Sequence, residues 1–163
     1  MAGDPEERLG FRHTQPNSGT ASEGAVEYEL DSLMISFHAS HVAVNRDDWG
    51  DLIVLSADEE LASKLYLMLQ AKDRYDDQDI RFGMDDIYIE TCGQGWSWYG
   101  NIESFELSRN RVAVQLSREA AIRMGNDGKV EATFSLDETD YARLRKTLQK
   151  IFDGEGYYRD GTV

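Results

Sequence analysis

Cysteine occurs once in the 163 residues, at Cys92, and proline only twice, at Pro5 and Pro16. One thiol cannot close an internal disulfide, and no CxxC-type knuckle exists. A disulfide-stapled secreted scaffold and a zinc ribbon are thereby excluded, and a reducing compartment, the cytoplasm, is expected. No apolar run approaches the roughly 18 residues that a membrane span needs. The start, Met1 to Glu7, carries neither the basic nor the apolar stretch of a signal peptide. Basic residues are also scarce: 17 Lys plus Arg stand against 31 Asp plus Glu, a formal net charge of −14. Phosphate backbones and anionic lipid surfaces repel such a protein, so direct nucleic-acid binding and a membrane role are not expected.

What is present suffices for a core. The chain is 40% apolar with three Trp, eight Tyr and six Phe, too hydrophobic for a disordered acidic chain and of a length that forms one domain. Both prolines and a polar run, Thr14 to Ser22, lie in residues 1–24, which read as a disordered N-terminal arm. Residues 154–163 are glycine-rich and read as a flexible C-terminal tail. Between them, residues 25–153 are expected to form a single domain.

Alternation of period two marks strands. Val26, Tyr28 and Leu30 share one parity and Leu33, Ile35 and Phe37 the other, which predicts a bend at Asp31-Ser32. Val42 and Val44 continue the extended pattern, and Leu52 to Leu55 reads as a buried strand. Residues 58–70 fit two patterns, since Leu61 and Leu65 suit a helical face while Leu65, Leu67 and Leu69 suit a strand. Ile87 to Glu90 is strand-like. Ile102 to Ser108 and Arg111 to Ser117 flank the turn pair Arg109-Asn110 as a hairpin, with a bend in its first arm. Ser117 caps a short helix, Arg118 to Met124, stopped by Gly125. Val130, Ala132 and Phe134 alternate again. Ser135-Leu-Asp-Glu138 fits a capping box, and Tyr141, Leu144, Leu148, Ile151 and Phe152 share one face of a final helix. The fold class expected is α+β: a mainly antiparallel sheet with this C-terminal amphipathic helix on one face and one short additional helix.

Signs of chemistry are weak. His38 and His41 have a spacing that joins two imidazoles on a helix, but they sit in a strand pattern where positions three apart face opposite ways. Cys92 has no neighbour that marks it as activated and reads as a small hydrophobe. GxGxxG does not occur around Gly93, Gly95 and Gly100, so a nucleotide site is not expected. No catalytic residue, metal or cofactor is assigned. Charge, by contrast, is concentrated: residues 47–90 hold thirteen acids and four bases, net −9. All three tryptophans lie in or just after that region. Trp and Tyr are favoured at interface hot spots, and an acidic rim steers basic partners. Trp96, Trp98, Tyr99 and Trp49 are therefore candidate partner-binding anchors, and Asp76, Asp77, Asp85 and Asp86 candidate steering acids. Oligomeric state stays open between monomer and homodimer.

Leu65 to Gln70, Asp77 to Asp85, Tyr88 to Glu90, the loop ending Tyr99-Gly100, and Ile102 to Arg109 resemble, in order, the immunity protein 10 family of bacterial polymorphic-toxin systems, over roughly residues 26–152. The resemblance implies a cytoplasmic, non-enzymatic inhibitor that binds a cognate toxin, and it implies a strand at residues 64–70. A nuclease is one toxin whose basic cleft the acidic segment would suit. The rival readings are an acidic binding module or nucleic-acid mimic acting on a basic protein, and a small enzyme using Cys92 or a carboxylate pair.

Overall fold

In the computed structural model the described residues are 34–61, 63–92 and 96–162. The arm over 1–24 and the strand read from Val26 to Leu33, with its bend, lie outside them. The first element among the described residues is the short strand β1 (Ile35–His38). After it, the run of alternating and apolar segments folds as a five-stranded meander of β2 (His41–Asp47), β3 (Gly50–Ser56), β4 (Tyr66–Ala71), β5 (Tyr88–Thr91) and β6 (Ser97–Tyr99). These strands are neighbours in chain order and every pair is antiparallel. The ambiguous stretch before Tyr66 is settled by its backbone. Leu61 and Lys64 have φ of 57° and 58°, left-handed values that interrupt a right-handed helix. Leu67 and Leu69 are then fully buried while Met68 and Gln70 face outward.

Three further strands and a helix continue the chain: β7 (Ile102–Ser108), β8 (Arg111–Leu116), helix α2 (Arg118–Met124) and β9 (Lys129–Thr133), preceded by a short helix α1 (Asp77–Arg81) between β4 and β5. The expected bend in the first hairpin arm is a register shift between Ile102 and Ser104. Helix α2 has the cap read from sequence, with Ser117 Oγ accepting from Ala120 N. Helix α3 (Glu138–Ile151) starts two residues later than expected: Asp137, not Ser135, is its N-cap, its carboxylate accepting from Asp140 N at 2.8 Å. Helix α1 is absent from the sequence reading. It is five residues long, too short for a hydrophobic stripe to reveal it, and its capping box pairs two aspartates, Asp76 and Asp79.

Residues 154–163 require a correction. They do not form a tail throughout, because Tyr158–Asp160 adds a strand, β10, parallel to β7. Tyr158 stacks on Phe152 at 5.0 Å, and Asp160 accepts from Arg145 Nε at 2.6 Å. Glycine content predicted freedom; the two tyrosines and Asp160 remove it. The first sheet thus runs β1-β9-β8-β7-β10 and the second β2 to β6. Ile53, Leu55, Leu69 and Ile89 of the second sheet, Phe105, Leu107, Val112 and Val114 of the first, and Leu144 and Leu148 of α3 form one buried cluster.

Candidate functional site

Antiparallel order decides which loops meet. The β2–β3 turn, the β4–β5 connection and the end of β6 all fall at one end of the second sheet, since Asp47 pairs with Gly50, Asp51 with Ala71, Gln70 with Tyr88 and Tyr88 with Tyr99. The turn is a tight one. A Cβ on Gly50 would lie 2.0 Å from Ala71 O, so only glycine lets the β2–β3 hairpin approach β4 this closely. Trp49 projects from that turn and is 66% exposed.

At this end Trp49, Gln70, Lys72, Tyr75, Met84, Asp86, Tyr88 and Tyr99 line a concavity of about 210 Å³. Tyr88 and Tyr99 are cross-strand partners with ring centroids 5.2 Å apart and planes inclined at 56°. Tyr75 donates to the Asp86 carbonyl at 3.1 Å. Burial pushes the Tyr75 and Tyr88 hydroxyls above the usual phenol range, so both are protonated donors at neutral pH. Lys72 Nζ stands 5.6 Å from the Trp49 ring centroid and donates to both Asp79 oxygens, at 2.7 and 2.9 Å. That hydrogen bond raises the Lys72 pKa and lowers that of Asp79, and it ties α1 to the end of β4. Beyond the concavity, Leu52, Val54 and Met68 continue the outward face of the same sheet, each partly exposed.

A second groove, about 340 Å³, shares Lys72, Tyr75 and Asp86 with the first and adds Asp51, Asp73, Asp85, Asp153 and Glu155. Two of these acids are engaged. Buried Asp51 takes both oxygens to Arg46 Nη1 at 3.0 Å and one to Lys150 Nζ at 2.7 Å, while Asp73 pairs with Arg46 and with Lys150. The hydrogen bonds from Arg46 and Lys150 hold the Asp73 carboxyl below the usual carboxylate range. Asp85, Asp86, Asp153 and Glu155 have no cation within ion-pair distance among the described residues.

The sequence candidates divide accordingly. Trp49, Tyr99 and Asp86 line the concavity together. Asp85 lies in the adjoining groove; Asp76 and Asp77 stand exposed at the start of α1, where Asp76 accepts from Asp79 N at 2.8 Å. Trp98 is a correction. It is 9% exposed, pairs with Ile89 and belongs to the core, because its parity in β6 is opposite to that of outward Tyr99. Trp96 is partly buried and packs against the same core. Sequence reasoning misses Gln70, Lys72, Met84 and Tyr88, and also Ile80 and Phe82, exposed on and after α1. Tyr88 was findable, since alternation with Ile87 and Ile89 already sets it on the outward face. His38 bonds Thr133 Oγ1 at 3.0 Å, and among the described residues no group of three or more His, Cys, Asp or Glu is placed to hold a metal ion.

Fold and surface together define an α+β protein with an open, aromatic sheet face. More particularly, the chain belongs to the immunity protein 10 family, whose sequence model matches residues 38–142, a span that includes every residue lining the concavity. The comparison with curated proteins gave no match. No helix among the described residues is long and apolar enough to cross a membrane.

Proposed function

We propose that this protein neutralises a cognate bacterial toxin by binding it stoichiometrically, and that the toxin docks on the aromatic end of the second sheet. The family supplies the immunity role. The observation that carries the surface assignment is the concavity walled by Trp49, Tyr75, Tyr88, Tyr99 and Asp86, with Asp85, Asp153 and Glu155 in the groove that adjoins it. Aromatic rings beside an acidic groove combine slow dissociation, from desolvated aromatics, with fast encounter, from charge steering. Such a surface suits a toxin with a basic cleft. A nuclease is the class in view, because acids lining the second groove would stand where substrate phosphates stand. No step of this action requires catalysis by the immunity protein.

The test is co-expression with the toxin domain encoded beside it, scoring cell survival and complex formation at low and high salt. Rescue with a salt-sensitive complex is the expected result. Failure to protect the cell transfers the surface to the rival reading, an acidic binding module acting on a basic host protein.

A further inference from the structure

The concavity of about 210 Å³ is smaller than the roughly 300–1,000 Å³ of typical small-ligand pockets. It suits one inserted side chain. Asp86 discriminates among the candidates: its Oδ1 accepts from Ile87 N at 2.7 Å, while Oδ2 has no hydrogen-bond partner among the described residues. An acidic side chain is repelled by that carboxylate. An aliphatic one leaves Oδ2 desolvated and unpaired, at a cost. A lysine satisfies the charge but, as a compact and strongly hydrated ammonium, gains little from the inclined faces of Tyr88 and Tyr99. An arginine does both, its planar guanidinium stacking on a tyrosine while its fork of donors meets the carboxylate. Lys72 does not oppose this, because Asp79 holds its charge from the α1 side, and its approach to Trp49 shows that the ring face accepts a cation.

We propose that the pocket between Tyr88, Tyr99 and Asp86 receives an arginine side chain of the toxin and is the specificity-determining contact of the complex. This rests on the reading above that the same surface docks the toxin. The probes are acetyl-Gly-Arg-Gly-amide and its citrulline counterpart, which keeps the shape and loses the charge, titrated into isotope-labelled full-length protein. The arginine peptide is expected to shift the Trp49 indole and the amides of Lys72, Ile87 and Tyr99 saturably, with a dissociation constant on the order of 1 mM. The citrulline peptide should bind at least about fivefold more weakly, the worth of an exposed cation–π and carboxylate contact. Asp86→Asn should erase that preference, and Tyr99→Leu, a change at an exposed strand position, should weaken the arginine peptide by a similar factor. Both variants should weaken the toxin complex at least about tenfold. Equal binding of the two peptides, no saturable shift up to about 20 mM, or full toxin affinity in both variants overturns the proposal. Survival of cells carrying the unaltered protein judges the immunity reading separately: protection by the wild type alongside any of those results removes the arginine and leaves the inhibitor.

Discussion

Gly100 lies against the carboxylate of Asp86. A Cβ at position 100 would lie 2.5 Å from Asp86 Oδ2, and the backbone there has φ of +72°, followed by +62° at Asn101, as the chain leaves the second sheet for the first. Gly100 N also donates to Ile87 O at 2.8 Å, beside the Asp86 carboxylate that accepts from Ile87 N. Gly100→Ala therefore adds backbone strain and pushes the Asp86 carboxylate aside at the pocket wall. The expected loss is about 1–3 kcal/mol in urea unfolding, together with a displaced Ile87 amide resonance. An unchanged midpoint and spectrum would show that the wall yields without cost.

Trp49 and Trp98 are a matched pair for separating docking from folding. Trp49 is 66% exposed and Trp98 is 9% exposed within the core. Trp49→Ala should leave unfolding free energy within about 0.5 kcal/mol of wild type while weakening the toxin complex by about 2 kcal/mol, roughly thirtyfold. Trp98→Ala should destabilise the fold by about 3–5 kcal/mol. Calorimetric binding and chemical denaturation on both variants decide the matter. Undiminished affinity in Trp49→Ala would remove that ring from the interface.

The contrast between these two rings shows where sequence is legible. Period-two alternation identified β1, β2, β8 and β9, a short apolar run identified β3, the cap at Ser117 identified α2 and one apolar face identified α3, because each signal is local. Composition misled at both kinds of boundary. Counting aromatics in a glycine-rich loop grouped Trp96, Trp98 and Tyr99 as anchors, whereas strand parity sends Trp98 inward and Tyr99 outward. Counting glycines made a tail of residues that Tyr158 and Asp160 fasten to the fold. The pocket itself joins residues from four separate stretches, and only strand register, set by hydrogen bonding over the whole meander, brings Trp49 beside Tyr99. Lys150 and Glu155 reach the same end from the far side of the sequence.

The fastening at Asp160 predicts an acid dependence. Burial pushes its carboxyl up, but hydrogen bonds from Thr162 and Arg145 outweigh burial and bring it down to about 2. A depressed folded value means that the group stabilises fully above the unfolded value near 3.8 and loses that contribution as pH falls towards 2. Asp160→Asn should cost about 1–2 kcal/mol at neutral pH after allowance for solvent screening, and should flatten the stability curve between those two pH values. Denaturant unfolding from pH 2 to 7 on both proteins provides the comparison. Parallel curves would show that Asp160 contributes nothing through its charge.

The rim acids predict a kinetic effect rather than an equilibrium one. Asp77 and Asp85 are exposed and have no cation partner among the described residues, so neither holds the fold through an ion pair. Their field reaches a Debye length, about 8 Å at physiological salt, far enough to orient an approaching basic surface but not to retain it. The double change Asp77→Asn, Asp85→Asn should slow association with the toxin by about two- to fivefold at low salt and leave dissociation unchanged. At about 1 M salt, where screening shortens the field to roughly 3 Å, the difference should vanish. Stopped-flow association at several ionic strengths measures both constants. A variant that instead dissociates faster would place these two carboxylates in direct contact with the partner, and would move the interface from the concavity out over α1, where Ile80 and Phe82 are exposed.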